Sequence, residues 1–178
     1  GPSPGPGPGK VAVVMDGLRD PANLGSIYRL LATFGVGALT HVHADRSPAP
    51  VWDDEHRWPK VRAVARGCER HVDRTFQERA SLVEWLELGD TERPPVVCIE
   101  TASGAERLHD FSFPERCVVL VGAEGRGLDP KVARALRPGF DAFVVIPMCG
   151  PHVSLNVASA LGISLYEYRR QWPGKLAS

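Results

Sequence analysis

At 178 residues the chain suits one domain with a sizeable core. Hydrophobic residues make up 43% and charged residues 24%, ordinary values for a globular protein. Acidic and basic residues number 21 each, which excludes a bulk basic attraction to nucleic acid, so any RNA contact must use a local patch.

Residues 1–9 alternate Gly and Pro, a composition that resists packing, and read as a flexible linker or an expression remnant. An RNA-binding extension upstream of it would then be missing. Residues 10–174 form the domain and 175–178 a tail. Val11 to Met15 is the first buried strand. Asp20 can cap a helix that starts with Pro21 and runs to about Phe34. Leu24, Ile27, Leu31 and Phe34 form its apolar stripe. Arg29 lies nearly opposite, among the small residues Gly25, Ser26 and Thr33, which leaves room for a bulky ligand. Asn23, taken alone, reads as a cap.

Ala38 to Val42 is a second strand. His41 and His43 share one of its faces but have no third ligand nearby, and no metal site is expected. Residues 45–59 read as a polar loop. A helix over Lys60 to Cys68 places Lys60, Arg62, Arg66 and Arg70 in the best basic patch, a candidate for phosphate contact. Val72 to Thr75 is a short strand, and Ser81 caps a helix to Leu88. Val96 to Ile99 is a strand that ends at Glu100-Thr101. Cys117 to Val121 is another, followed by the glycine loop Gly122 to Leu128. Pro130 to Leu136 is helical.

Phe143 to Ile146 is the last strand, stopped by Pro147, with Gly150-Pro151 as a turn. Ser154 stands at the expected N-cap of a final helix rich in Ala, Ser and Gly, whose small side chains admit another backbone. Strands alternating with helices argue a mostly parallel α/β sheet. The sequence contains no transmembrane span and no signal peptide. The four cysteines, Cys68, Cys98, Cys117 and Cys149, make no CxxC pair, as in a reduced intracellular protein.

Glycines at a strand end let a ligand approach the backbone. A dinucleotide fold is the obvious rival, with Asp141 about twenty residues on as the ribose acid. The spacing GxxGxG on a late strand argues against it.

Three stretches occur in order at strand-to-helix junctions. They are Asn23-Leu-Gly-Ser-Ile-Tyr-Arg29, Leu120-Val-Gly-Ala-Glu-Gly-Arg-Gly127 and Ile146-Pro-Met-Cys-Gly-Pro-His-Val-Ser-Leu-Asn-Val157. Together they resemble the motif set of the SpoU (TrmH-type) branch of the SPOUT RNA methyltransferases, over about Val11 to Arg170. The resemblance implies methyl transfer from S-adenosylmethionine to a ribose 2′-OH of tRNA or rRNA, a homodimer and a C-terminal trefoil knot. It places Thr101, Gly122, Ile146, Met148 and Leu155 at the cofactor. Asn23, Arg29, Glu124, Ser154 and Asn156 become the catalytic cluster, with Arg29 also contacting RNA beside the patch of Lys60, Arg62 and Arg66. The other reading is a cofactor-free RNA-binding or assembly module that kept the fold without turnover.

Overall fold

The computed structural model describes residues 3–43, 49–123, 125–152 and 154–175. Strands β1 (Val11–Asp16), β2 (Ala38–His43) and β3 (Asp73–Glu78) are separated by helices α1 (Pro21–Thr33) and α2 (Trp58–Ala65). Then come α3 (Arg79–Leu86), β4 (Val96–Ile99), β5 (Glu106–Arg107), β6 (Cys117–Gly122), α4 (Pro130–Ala135), β7 (Ala142–Val145) and α5 (Val157–Gln171). Every strand pairing is parallel, in the order β3-β2-β1-β6-β4-β7-β5. The mostly parallel α/β expectation holds.

β1 and β6 are buried at every position because they lie mid-sheet with helices on both faces. Val13, Met15, Val119 and Val121 pack under α1, α2 and α5, while Ala12, Val14, Val118 and Leu120 pack under α3 and α4. Burial of both faces explains their near-continuous apolar runs.

α1 starts as the sequence predicts, with the Asp20 carboxylate accepting from Asn23 N at 2.9 Å. Arg29 is exposed and Leu24, Ile27 and Leu31 are buried. Gly25 differs from expectation. A Cβ there would fall 2.5 Å from Val64 Cβ and 2.7 Å from the Val61 carbonyl, so Gly25 is spent on close packing of α1 against α2. It offers no room beside Arg29.

Part of the loop predicted over 45–59 lies outside the described residues. Within the rest, Val51–Asp53 is a 3₁₀ turn, and α2 begins at Trp58 with Pro59 in its first turn. It ends at Arg66 in the left-handed conformation (φ 53°), short of Cys68. The basic patch is weaker than expected. Arg62 and Arg70 approach the Glu69 carboxylate at 3.7 and 3.9 Å, and Glu69 is 4% exposed. Two of the four cations are therefore partly neutralised. All four cations are exposed, and Lys60 and Arg66 stand apart from Glu69 in these ion pairs.

Ser81 does not cap α3, which starts two residues earlier and has no side-chain cap. Ser154 does not cap α5. That role belongs to Asn156, whose Oδ1 accepts from Ala158 N at 3.0 Å and Ser159 N at 3.2 Å. The small residues of α5 are used within the chain: a Cβ on Gly162 would lie 3.1 Å from the Leu30 side chain, and Ser164 donates back to the Ala160 carbonyl. The far end of α5 is stapled down. Arg169 donates to the carbonyls of Phe34 (2.7 Å) and Gly35 (3.1 Å), Tyr168 to Glu115 and Trp172 to Phe113.

Residues 3–9 also pack, against expectation. Pro4 and Pro6 are buried, and Arg116 donates to the carbonyls of Gly7 and Gly9, both at 3.0 Å.

Candidate functional site

The C-terminal ends of β4, β6 and β7 open into a cleft of about 750 Å³. Strand ends of open α/β sheets commonly bind ligands, and this volume suits a small molecule. Ile99 and Thr101, Val121 and Gly122, and Val144 to Ile146 form its floor. Met148, Ser154, Leu155 and Asn156 form one wall, and Gly125 to Gly127 the other. All five positions expected at a cofactor, Thr101, Gly122, Ile146, Met148 and Leu155, line this one space. Leu155 is 42% exposed, an apolar side chain at the cleft that lacks cover.

The glycine loop is shaped mostly by its own backbone. Gly127 N donates to the Ala123 carbonyl at 3.0 Å, closing the loop on itself. A Cβ on Gly122 would lie 2.5 Å from the Gly127 carbonyl carbon. Gly122 therefore admits the returning loop rather than a ligand, and a valine there would break the loop itself. Gly125 and Gly127 take φ of +74° and +65°, which glycine adopts without strain.

The catalytic candidates divide. Asn156 Nδ2 donates to Asn23 Oδ1 at 2.8 Å across 133 residues of chain. Asn23 is buried, so this contact welds the start of α1 to the start of α5 beside the cleft. Ser154 is exposed on the same wall. Arg29 is absent from the lining. It lies six residues beyond Asn23, about 9 Å along α1, and is exposed. Glu124 lies outside the described residues.

Sequence reasoning missed a buried ion network under the glycine loop. Asp16, 1% exposed, accepts from Arg79 Nε at 2.9 Å and Nη2 at 2.8 Å. Arg79 also reaches Asp129 at 3.3 Å, and Asp129 caps α4 just after the loop. Burial pushes the Asp16 carboxyl up despite the guanidinium. The signal was an acid at a strand end before Gly17, but its partner is 63 residues away.

Two other candidates are structural. Asp141 does not face the glycine loop. It accepts from Arg93 Nη1 and Nη2 (2.7 and 2.6 Å) and from the N–H groups of Val96 and Arg137, both at 2.8 Å. His41 is hydrogen-bonded to the Tyr28 hydroxyl at 2.8 Å, and its burial holds its pKa down to about 3. His43 stacks on Phe76 at 4.2 Å. Among the described residues no cluster of His, Cys, Asp and Glu could hold a metal ion.

A profile of the SpoU rRNA methylase family matches residues 10–166. The chain belongs to that family. A tRNA/rRNA methyltransferase of Mycobacterium ulcerans, itself uncharacterised, is 33% identical over 165 residues, covering 92% of this chain and 48% of that protein. The chain thus spans about half the length of such curated relatives. Solved SpoU-like structures agree in fold. The AdoMet-bound rRNA methyltransferase from Sinorhizobium meliloti is 25% identical with a TM-score of 0.76, over 99% of this chain and 60% of that one. The AdoMet complex of the SpoU methyltransferase AviRb from Streptomyces viridochromogenes is 27% identical with a TM-score of 0.70, over 90% and 57%. A structure concerned with 2-OH methylation of C/U34 on tRNA is 28% identical with a TM-score of 0.74, and it matches nearly end to end, over 94% of this chain and 99% of that one.

Proposed function

We propose that this chain transfers a methyl group from S-adenosylmethionine to a ribose 2′-OH of tRNA or rRNA. The observation that carries the reading is the single cleft lined by Thr101, Gly122, Ile146, Met148 and Leu155, with Ser154 and Asn156 on its wall and Asn23 bonded to Asn156. Apolar groups at Ile99, Val121, Ile146 and Leu155 suit the faces of an adenine, and the backbone of 146–148, outside helix and strand, suits its polar edge. The cofactor supplies a methyl already activated on a sulfonium. The chain has then to align the hydroxyl and help remove its proton.

Asn23 fixes the Asn156 amide, and Asn156 Oδ1 is committed to the cap of α5. That arrangement holds the Ser154-Leu155 backbone at the cleft. Arg29 binds the phosphate beside the target ribose and polarises the hydroxyl, since a guanidinium grips phosphate by two parallel bonds. The knot and a homodimer belong to the same reading. Support for the dimer comes from Ile163 and Tyr166 of α5, 43% and 64% exposed, rather than from small residues. A second copy packed there would cover them.

Single-turnover transfer to tRNA and rRNA, with mapping of 2′-O-methyl marks, tests the activity. Arg29→Lys should fold, dimerise and bind S-adenosylmethionine normally yet lose most transfer. Near-parental transfer would remove Arg29 from the reaction. A parent protein that binds RNA but not S-adenosylmethionine would favour the non-catalytic module.

A further inference from the structure

We propose that Glu100 is the charge-selecting residue of the cleft, making it favour the cationic sulfonium cofactor over the neutral thioether left after transfer. The inference rests on the methyltransferase reading and adds a residue that lies outside the three motifs. Glu100 follows the last residue of β4, where its own N–H donates to the Val144 carbonyl at 3.1 Å. Its side chain turns toward the glycine loop. Oε2 accepts from Leu128 N at 2.9 Å, and a Cβ on Gly127 would stand 2.7 Å from that oxygen. The carboxylate is thus held between the floor and the returning arm of the loop, half-buried and in the lining.

Among the described residues Glu100 is the only carboxylate lining the cleft, and exposed Arg126 the only cation. A fixed negative charge in a partly desolvated cleft acts more strongly than it would in water. It attracts a cofactor bearing a positive sulfur and gives no such attraction to the thioether. Positioning is supplied by the Leu128 N–H, so the charge does not have to be ordered when the ligand arrives. The same carboxylate therefore helps fix the loop and helps the spent cofactor leave.

Calorimetric titration of S-adenosylmethionine and S-adenosylhomocysteine into the parent, Glu100→Gln and Glu100→Asp tests this, with Tm recorded for each. Glu100→Gln keeps an oxygen for Leu128 N–H and should melt near the parent. Its affinity for the sulfonium should fall about tenfold while affinity for the thioether stays unchanged. Glu100→Asp keeps the charge and should keep the parental ratio. Equal loss for both ligands in Glu100→Gln, or a ratio that collapses in Glu100→Asp too, would make Glu100 a loop anchor only and overturn the proposal. A parent that binds neither ligand would instead overturn the cofactor reading beneath it.

Discussion

Two buried carboxylate–guanidinium pairs stand at opposite ends of the sheet, and they are built differently. At the N-terminal end of β4 and β7, Asp141 accepts four N–H bonds, and Arg93 donates further to the Leu86 and Pro94 carbonyls. Their side chains are 2% and 0% exposed, so each charge is desolvated and fully answered. At the C-terminal end, beneath the glycine loop, Asp16 is as deeply buried and also accepts the Asp129 N–H at 3.3 Å, but Arg79 is 16% exposed and divides itself between Asp16 and Asp129. One end is a closed structural node. The other is an incompletely compensated one, placed where loops of the site must be held. A fold can carry the same residue pair for two purposes, and what tells them apart is how deeply the guanidinium is buried and how far it is shared.

The largest effect should come from the closed end. Arg93→Leu leaves Asp141 buried without its counter-ion and should cost about 3–5 kcal/mol, read as a fall in Tm with denaturant midpoint as a check. If the loss is below that of Asp16→Asn, the comparison fails.

Next comes acid titration, where the two groups have opposite signs. His41 is buried neutral with a depressed pKa of about 3. Its contribution is present above the unfolded value near 6.5 and is lost as pH falls toward 3, at up to about 1.4 kcal/mol per pH unit. Asp16 is raised, so its contribution is fully present below the unfolded value and fades as pH rises through the raised one. Stability measured from pH 7 to 4 should therefore fall less steeply in His41→Gln than in the parent, and more steeply in Asp16→Asn. Parallel profiles for all three would refute the assignment.

Asp16→Asn at pH 7 should itself cost about 1–2 kcal/mol, since Arg79 keeps Asp129 and some water. It should weaken S-adenosylmethionine binding through the loop, which Arg93 variants that still fold should not do. The smallest expected change is Asn23→Ala. It removes one amide contact to Asn156 and leaves the α5 cap intact, for about 1 kcal/mol. Asn156→Ala loses the cap as well and should cost about 1 kcal/mol more.

The sheet was legible because β1, β4, β6 and β7 are compact apolar runs bounded by breakers. β5 was not. It is two exposed residues, Glu106 and Arg107, paired only by their backbone with β7. The motifs brought Ser154, Asn156 and the glycine loop to one cleft, yet several details depended on contacts that local pattern does not encode. Asn156 rather than Ser154 caps α5 because residues 154–156 lie outside the helix, which begins only at Val157. Gly25 answers to Val64, nearly forty residues away, and Asp16 to Arg79. In sequence Glu100 is only the end of a strand, because only the folded loop brings Leu128 N to it.

The joining of α1 and α5 has a mechanical meaning. Asn23 and Asn156 pin their starts, Leu30 and Gly162 touch midway, and Arg169 grips the end of α1 through Phe34 and Gly35. Two rods fastened at three points along their length cannot slide or swivel separately. The pair is a single beam about 20 Å long, with one end at the cleft wall. A displacement of that wall therefore has to move both helices together.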